Sequence, residues 1–213
     1  MEFSKASLLL YVVTDRTWVG KQSLYEQIEN AILGGATIVQ LREKNLSKDE
    51  FLEEAIKVKE LCNRYNVPLI INDNVDIAIK SGADGVHVGI EDVPVGEIRK
   101  KVGDDFIIGA TAKTIEQAMN AEREGANYLG VGAIFPSLTK KNAIRITKEQ
   151  LKEICSSVDI PVVAIGGITY ENVLEVKGGG MDGIAVVSAV FGAENIVEAT
   201  EKLKIKAKEV TGV

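Results

Sequence analysis

The stretch Ser81-Gly82-Ala83-Asp84-Gly85-Val86-His87-Val88 decides the fold. A glycine just past a helix supplies a left-handed cap, and the residues after it turn the chain into a strand. The same construction recurs at Gly34-Gly35-Ala36-Thr37, Glu124-Gly125-Ala126-Asn127 and Gly179-Gly180-Met181-Asp182, each ahead of an apolar run. Working outward, the short apolar runs are Leu8–Val13, Ile38–Leu41, Leu69–Ile71, Gly85–Val88, Phe106–Ala110, Tyr128–Val131, Pro161–Ile165 and Gly183–Val187. They are rich in Val and Ile and bounded by Gly, Asp or Asn, as buried parallel strands are. The glycine turns precede the second, fourth, sixth and eighth of them. Between runs lie amphipathic stretches such as Leu52–Asn63, Gln117–Gly125 and Ile196–Val210, with apolar residues at helical spacing. Eight βα units in 213 residues predict a closed (β/α)8 barrel, the TIM barrel, as one domain over residues 1–213. An open doubly wound sheet is the alternative.

Composition narrows the function classes. Hydrophobic residues make up 46% and charged residues 26%, ordinary for a globular protein, and the net charge is −6. That balance argues against broad attraction to nucleic acid or anionic lipid, so an anionic ligand needs a local cluster of cations and backbone N–H groups. The two cysteines, Cys62 and Cys155, have neither disulfide-scaffold nor zinc spacing and read as reduced thiols in a cytoplasmic protein. The run Leu8–Val13 is too short to span a membrane and lacks a leader's basic start.

In a barrel the chemistry sits at the C-terminal ends of the strands. After the second run, alternation aims Gln40 and Arg42 to one side, with Lys44 just beyond. Two cations and an amide at one rim suit a diphosphate beside a polar ring, although a solvated charged loop reads equally well. Asn72-Asp73 follows the third run and Asp92 the fourth. Two carboxylates plus a substrate phosphate are a usual way to hold Mg²⁺, but taken alone Asp73 and Asp92 fit helix N-caps better. Thr111 follows the fifth run and offers a hydroxyl or a cap, with Lys113 close behind. The segment from Gly132 to Ala143 carries hydroxyls and lysines suited to a loop closing over a phosphate, or to a plain exposed loop. Gly166-Gly167-Ile168 and Val187-Ser188-Ala189 follow the last two runs, where barrels commonly bind phosphate through backbone N–H groups. His87, the one histidine, reads as a packed strand residue rather than a catalyst, and Trp18 as surface packing.

The assembled residues resemble those of the thiamine-phosphate synthase family. The resemblance runs from Leu10-Tyr11-Val12-Val13-Thr14-Asp15 to Val186-Val187-Ser188-Ala189. Its motifs are Val39-Gln40-Leu41-Arg42-Glu43-Lys44, Ile71-Asn72-Asp73, Gly82–Gly89 with Asp92, Phe135-Pro136-Ser137-Leu138-Thr139-Lys140-Lys141, and Ala164-Ile165-Gly166-Gly167-Ile168. It implies an alkyl transferase that joins hydroxymethylpyrimidine diphosphate to hydroxyethylthiazole phosphate, releasing pyrophosphate. It implies that Gln40, Leu41, Arg42, Glu43, Lys44, Asn72, Thr111 and Lys140 bind the pyrimidine diphosphate, with Arg42, Lys44 and Lys140 catalytic. Ser137, Leu138, Thr139, Gly167, Val187 and Ser188 would bind the thiazole phosphate, and Asp73 and Asp92 would bind Mg²⁺. The partners implied are small molecules, with a homo-oligomer compatible. Several positions depart from the family pattern. Thr111 stands for a usual Ser, Lys113 for His, Ala133 for Pro, Ser137 for Thr and Ile90 for Gln.

Three rivals share the barrel. A thiazole tautomerase relative needs a histidine where this chain has Lys113, and no metal carboxylates. A non-catalytic sensor of phosphate ligands would not need the full set of cations and carboxylates. A generic phosphate-binding barrel predicts no dependence on Asp73 and Asp92.

Overall fold

The computed structural model describes residues 3–20, 22–137 and 144–213. Eight parallel strands close into a barrel in chain order, each hydrogen bonded to its sequence neighbours and the eighth to the first. They are β1 (Leu10–Val13), β2 (Ile38–Leu41), β3 (Leu69–Asn72), β4 (Gly85–Val88), β5 (Ile107–Ala112), β6 (Tyr128–Val131), β7 (Val162–Ile165) and β8 (Gly183–Val186). The helices are α1 (Leu24–Leu33), α2 (Lys48–Arg64), α3 (Val75–Lys80), α4 (Val95–Val102), α5 (Ile115–Arg123), α6 (Lys148–Ser156), α7 (Ser188–Phe191) and α8 (Ile196–Thr211). The β7–β8 connection holds only a 3₁₀ turn, Val173–Val176.

The glycine turns behave as their sequence requires. Gly35, Gly82, Gly125 and Gly180 have φ of +98°, +69°, +96° and +84°, the region a side chain disfavours. Ser23, Ser47 and Thr147 form capping boxes that start α1, α2 and α6. Several strand ends differ by a residue or two from the sequence reading, and two of them bear on the site. Leu8 belongs to a 3₁₀ turn and not to β1, and it is apolar because it packs with the residues inside the barrel. The strand β5 runs on to Ala112, so Thr111 is a strand residue and Thr114 caps α5 instead.

Side-chain alternation sorts the core into two layers. Val39, Leu41, Ile71, Val86, Leu129 and Val186 face outward and pack with the helices. Tyr11, Val13, Ile38, Ile70, Ile107, Tyr128, Val163 and Ala185 fill the barrel interior. The inward residues one step further along the strands are mostly polar or small, and they form the floor of the mouth.

Candidate active site at the barrel mouth

The C-terminal mouth opens onto one cavity. Its lining includes Tyr11, Gln40, Arg42, Asn72, His87, Thr111, Lys113, Gly132, Ser137, Gly166, Gly167, Val187 and Ser188. The fold thus gathers Gln40, Arg42, Asn72, Thr111, Ser137, Gly167, Val187 and Ser188 around the cavity, while Lys44, Asp73 and Asp92 lie outside its lining. Leu138, Thr139 and Lys140 lie outside the described residues.

Period-two alternation separates two residues from this group. The Leu41 side chain is fully buried in the outer layer, away from the cavity. Glu43 turns the same way, and its carboxylate accepts from Arg16 Nε at 2.8 Å while Arg16 also pairs with Glu54. Burial raises the Glu43 pKa and outweighs the lowering by Arg16. Neither side chain lines the cavity, so a ligand contact from these two positions falls to the main chain. Arg42 does face the mouth. Its N–H donates to Thr14 Oγ1 at 2.9 Å, and its guanidinium lies 3.4 Å from Asp15, which fixes it over the rim.

Asp73 and Asp92 are not helix caps. Asn74 caps α3 by accepting from Ile77 N–H at 3.0 Å, and Pro94 holds the cap position of α4. Asp73 instead sits at φ +62°, and its carboxylate meets Lys44 Nζ at 2.5 Å. Asp92 accepts from Gly89 N–H at 2.7 Å. The two carboxyl groups are close enough to shift each other's titration. Burial pushes Asp73 up, but the Lys44 ammonium, Asp92 and Asn72 together hold its pKa below the ordinary carboxylate value. Burial raises Asp92 despite the Gly89 bond, and the neighbouring Asp73 charge raises it further. Two such acids would rather share a cation than face each other bare. Among the described residues no cluster of three or more His, Cys, Asp or Glu side chains could hold a metal. Two hard oxygen donors at an open rim suit Mg²⁺, which usually takes one or two carboxylates and completes its shell with water and substrate phosphate.

On the opposite wall, Gly166 and Gly167 have φ of +101° and +65°. Phe135 N–H donates to the Gly166 carbonyl at 2.9 Å, and a Cβ on Gly167 would sit 2.3 Å from the Pro136 carbonyl oxygen. The segment after β6 is thereby fastened to the turn after β7, which brings Ser137 beside Gly167. Val187 and Ser188 close this wall where α7 starts.

The floor was not anticipated. Gln40 Nε2 donates to the Tyr11 hydroxyl at 2.7 Å, which lies 2.7 Å from the Tyr128 hydroxyl. The latter is 3.1 Å from His87 Nδ1, and His87 Nε2 is 3.1 Å from Thr111 Oγ1. Burial lowers the His87 pKa to about 4, so the ring is neutral near pH 7. Burial also raises both tyrosines well above their ordinary value. Tyr11 and Tyr128 gave no sequence signal beyond apolar runs, and His87 was set aside as packing. Lys113, absent from the expected binding residues, also lines the cavity.

A family model described as thiamine monophosphate synthase matches residues 10–190. The chain is similar to the thiamine-phosphate synthase of Clostridium tetani, 52% identical over 91% of this chain and 93% of that protein. It is similar to that of Methanobrevibacter smithii, 49% identical over 94% of this chain and 97% of that protein. Among solved structures, a thiamine phosphate pyrophosphorylase from Pyrococcus furiosus superimposes with a TM-score of 0.89 at 42% identity, covering 97% of this chain and 98% of that one.

Proposed function

The chain belongs to the thiamine monophosphate synthase family, and from that premise we propose how its barrel mouth makes thiamine phosphate and releases pyrophosphate. The reaction joins hydroxymethylpyrimidine diphosphate to hydroxyethylthiazole phosphate. The observation that carries the assignment is the division of the mouth. Arg42 lines the cavity on one side, with Asp73, paired to Lys44, and Asp92 following β3 and β4 beyond its lining; the Gly166–Gly167 turn with Ser188 forms the other wall, and a polar floor lies between.

Gln40 and Asn72 hold the pyrimidine, with Thr111 and Lys140 on its diphosphate. Leu41 and Glu43 contribute through their main chain. Ser137, Leu138, Thr139, Gly167, Val187 and Ser188 hold the thiazole phosphate. As the carbon–oxygen bond to the diphosphate breaks, negative charge gathers on the departing pyrophosphate. Arg42, kept in place by Asp15, and Lys44 therefore stabilise the transition state more than the ground state. Asp73 and Asp92 would hold Mg²⁺ together with diphosphate oxygens, and the ion supplies further positive charge against the leaving group. The thiazole nitrogen is itself the nucleophile, so the protein contributes alignment and exclusion of water rather than a covalent intermediate. We place the reaction in the cytoplasm, where free thiols such as Cys62 and Cys155 persist.

Calorimetric titration with the pyrimidine diphosphate tests the rim assignment. Binding is expected to strengthen with Mg²⁺ in the natural chain and to lose that dependence in Asp73→Ala. Equal Mg²⁺ dependence in both proteins would remove Asp73 from the site.

A further inference from the structure

We propose that Tyr11, Tyr128 and His87 are positioning residues that form a one-way hydrogen-bond relay across the barrel floor, fixing His87 as its Nε2–H tautomer and turning the Thr111 hydroxyl proton toward the bound diphosphate. The inference rests on the proposed placing of the diphosphate at Thr111.

The direction follows from counting protons. The Gln40 amide nitrogen only donates, so the Tyr11 oxygen accepts from it at 2.7 Å. The Tyr11 proton then goes to the Tyr128 oxygen at 2.7 Å. Tyr128 in turn gives its own proton to His87 Nδ1 at 3.1 Å. Nδ1, in accepting that proton, carries none of its own, so the ring's N–H sits on Nε2, which donates to Thr111 Oγ1 at 3.1 Å. The Thr111 proton is then left for a ligand. If the Gln40 amide were turned over, every bond would reverse and Thr111 would spend its proton on His87. It would then show only lone pairs to an anion, which repels a diphosphate. The relay thus couples Gln40 at one side of the cavity to Thr111 at the other.

Packing indicates a built device. Gly109 and Gly130 lie inside β5 and β6, where no turn calls for glycine. A Cβ on Gly109 would meet Tyr128 Cζ at 2.1 Å, and one on Gly130 would meet His87 Cε1 at 3.0 Å. The rings of Tyr11 and His87 lie 5.8 and 5.5 Å from that of Tyr128. Both tyrosines are almost wholly buried, so their hydroxyls are held by these neighbours.

His87 is the one histidine in the chain, so long-range ¹H–¹⁵N spectra of ¹⁵N-labelled free protein at pH 7 report this ring alone. The expected spectrum has a protonated Nε2 and a bare Nδ1. In Tyr128→Phe, and in Tyr11→Phe as a second break, the two shifts should move toward each other as tautomers mix. Both variants should raise KM for the pyrimidine diphosphate several-fold more than that for the thiazole phosphate. A protonated Nδ1, or mixed tautomers in the natural chain, would overturn the relay. Because the spectrum needs no substrate, it separates failure of the relay from failure of the functional assignment.

Discussion

Replacing Gly109 with alanine should unsettle the floor of the mouth without altering any polar group. The added methyl would lie 2.1 Å from Tyr128 Cζ and 2.3 Å from its hydroxyl oxygen. Carbon atoms rest at about 3.5–4 Å, so the ring must retreat by roughly 1.5 Å. It has nowhere to go, being fully buried among Phe3, Tyr11 and His87. Overpacking of this kind costs about 1–3 kcal/mol. Losing the bonds to Tyr11 and His87 adds about 1 kcal/mol each. The sum is about 3–5 kcal/mol, which in a chain of this size lowers Tm by roughly 10 °C. Urea unfolding measures it against Gly96→Ala, where the new methyl meets Glu124 at an ordinary 3.7 Å. That helical control should be neutral or gain up to about 1 kcal/mol. If Gly109→Ala stays within about 0.5 kcal/mol of the natural chain, the steric argument and the rigid floor built on it are wrong.

Further consequences can be measured separately. The folded His87 pKa near 4 lies below its unfolded value near 6.5, so the unfolded chain takes up the proton first as pH falls. That stability is full above about pH 6.5 and lost toward pH 4, at most about 3 kcal/mol, and His87→Gln should flatten this part of the acid limb in urea titrations. Lys44→Met should cut kcat about 10²-fold through loss of charge at the leaving group. Its stability should change by about 1 kcal/mol or less, because the Lys44–Asp73 pair is only partly buried; a loss of activity under tenfold would move Lys44 out of the mechanism. Arg99 donates to the carbonyls of Phe106 and Gly125 at 2.8 and 2.7 Å and to Asn127 Oδ1 at 2.6 Å, so Arg99→Met should cost about 2–4 kcal/mol of unfolding free energy.

The barrel was legible because its signals are local. A glycine turn, a short Val/Ile run and a capping box each declare themselves within a few residues. Strand alternation also aimed Gln40 and Arg42 at the mouth, and the same rule, carried one step further, turns Leu41 and Glu43 away. Asp73 and Asp92 were ambiguous because a capping acid and a rim acid have the same spacing from a helix start. Only the observed caps, at Asn74 and Pro94, separate the two roles. The floor's Tyr11, Tyr128 and His87 could not be read as part of a site. Its five members come from β1, β2, β4, β5 and β6, and Tyr11 meets Tyr128 across a sequence separation of 117. Nothing local in a Tyr within an apolar run distinguishes a core ring from one whose hydroxyl supports a site. Leu8 misled in the opposite sense, since a residue plugging the barrel is as apolar as one in a strand.

If Arg42, Lys44 and a cation held by Asp73 and Asp92 carry the departing pyrophosphate, turnover depends on that cation and on the carboxylates that hold it. The direct measurement is formation of thiamine phosphate from hydroxymethylpyrimidine diphosphate and hydroxyethylthiazole phosphate, followed by thiochrome fluorescence across a Mg²⁺ series. The account predicts Mg²⁺-dependent product in the natural chain, and a loss of about 10²-fold or more in Asp73→Ala with the fold intact. Product that forms equally without divalent cation, or undiminished in Asp73→Ala, would contradict it.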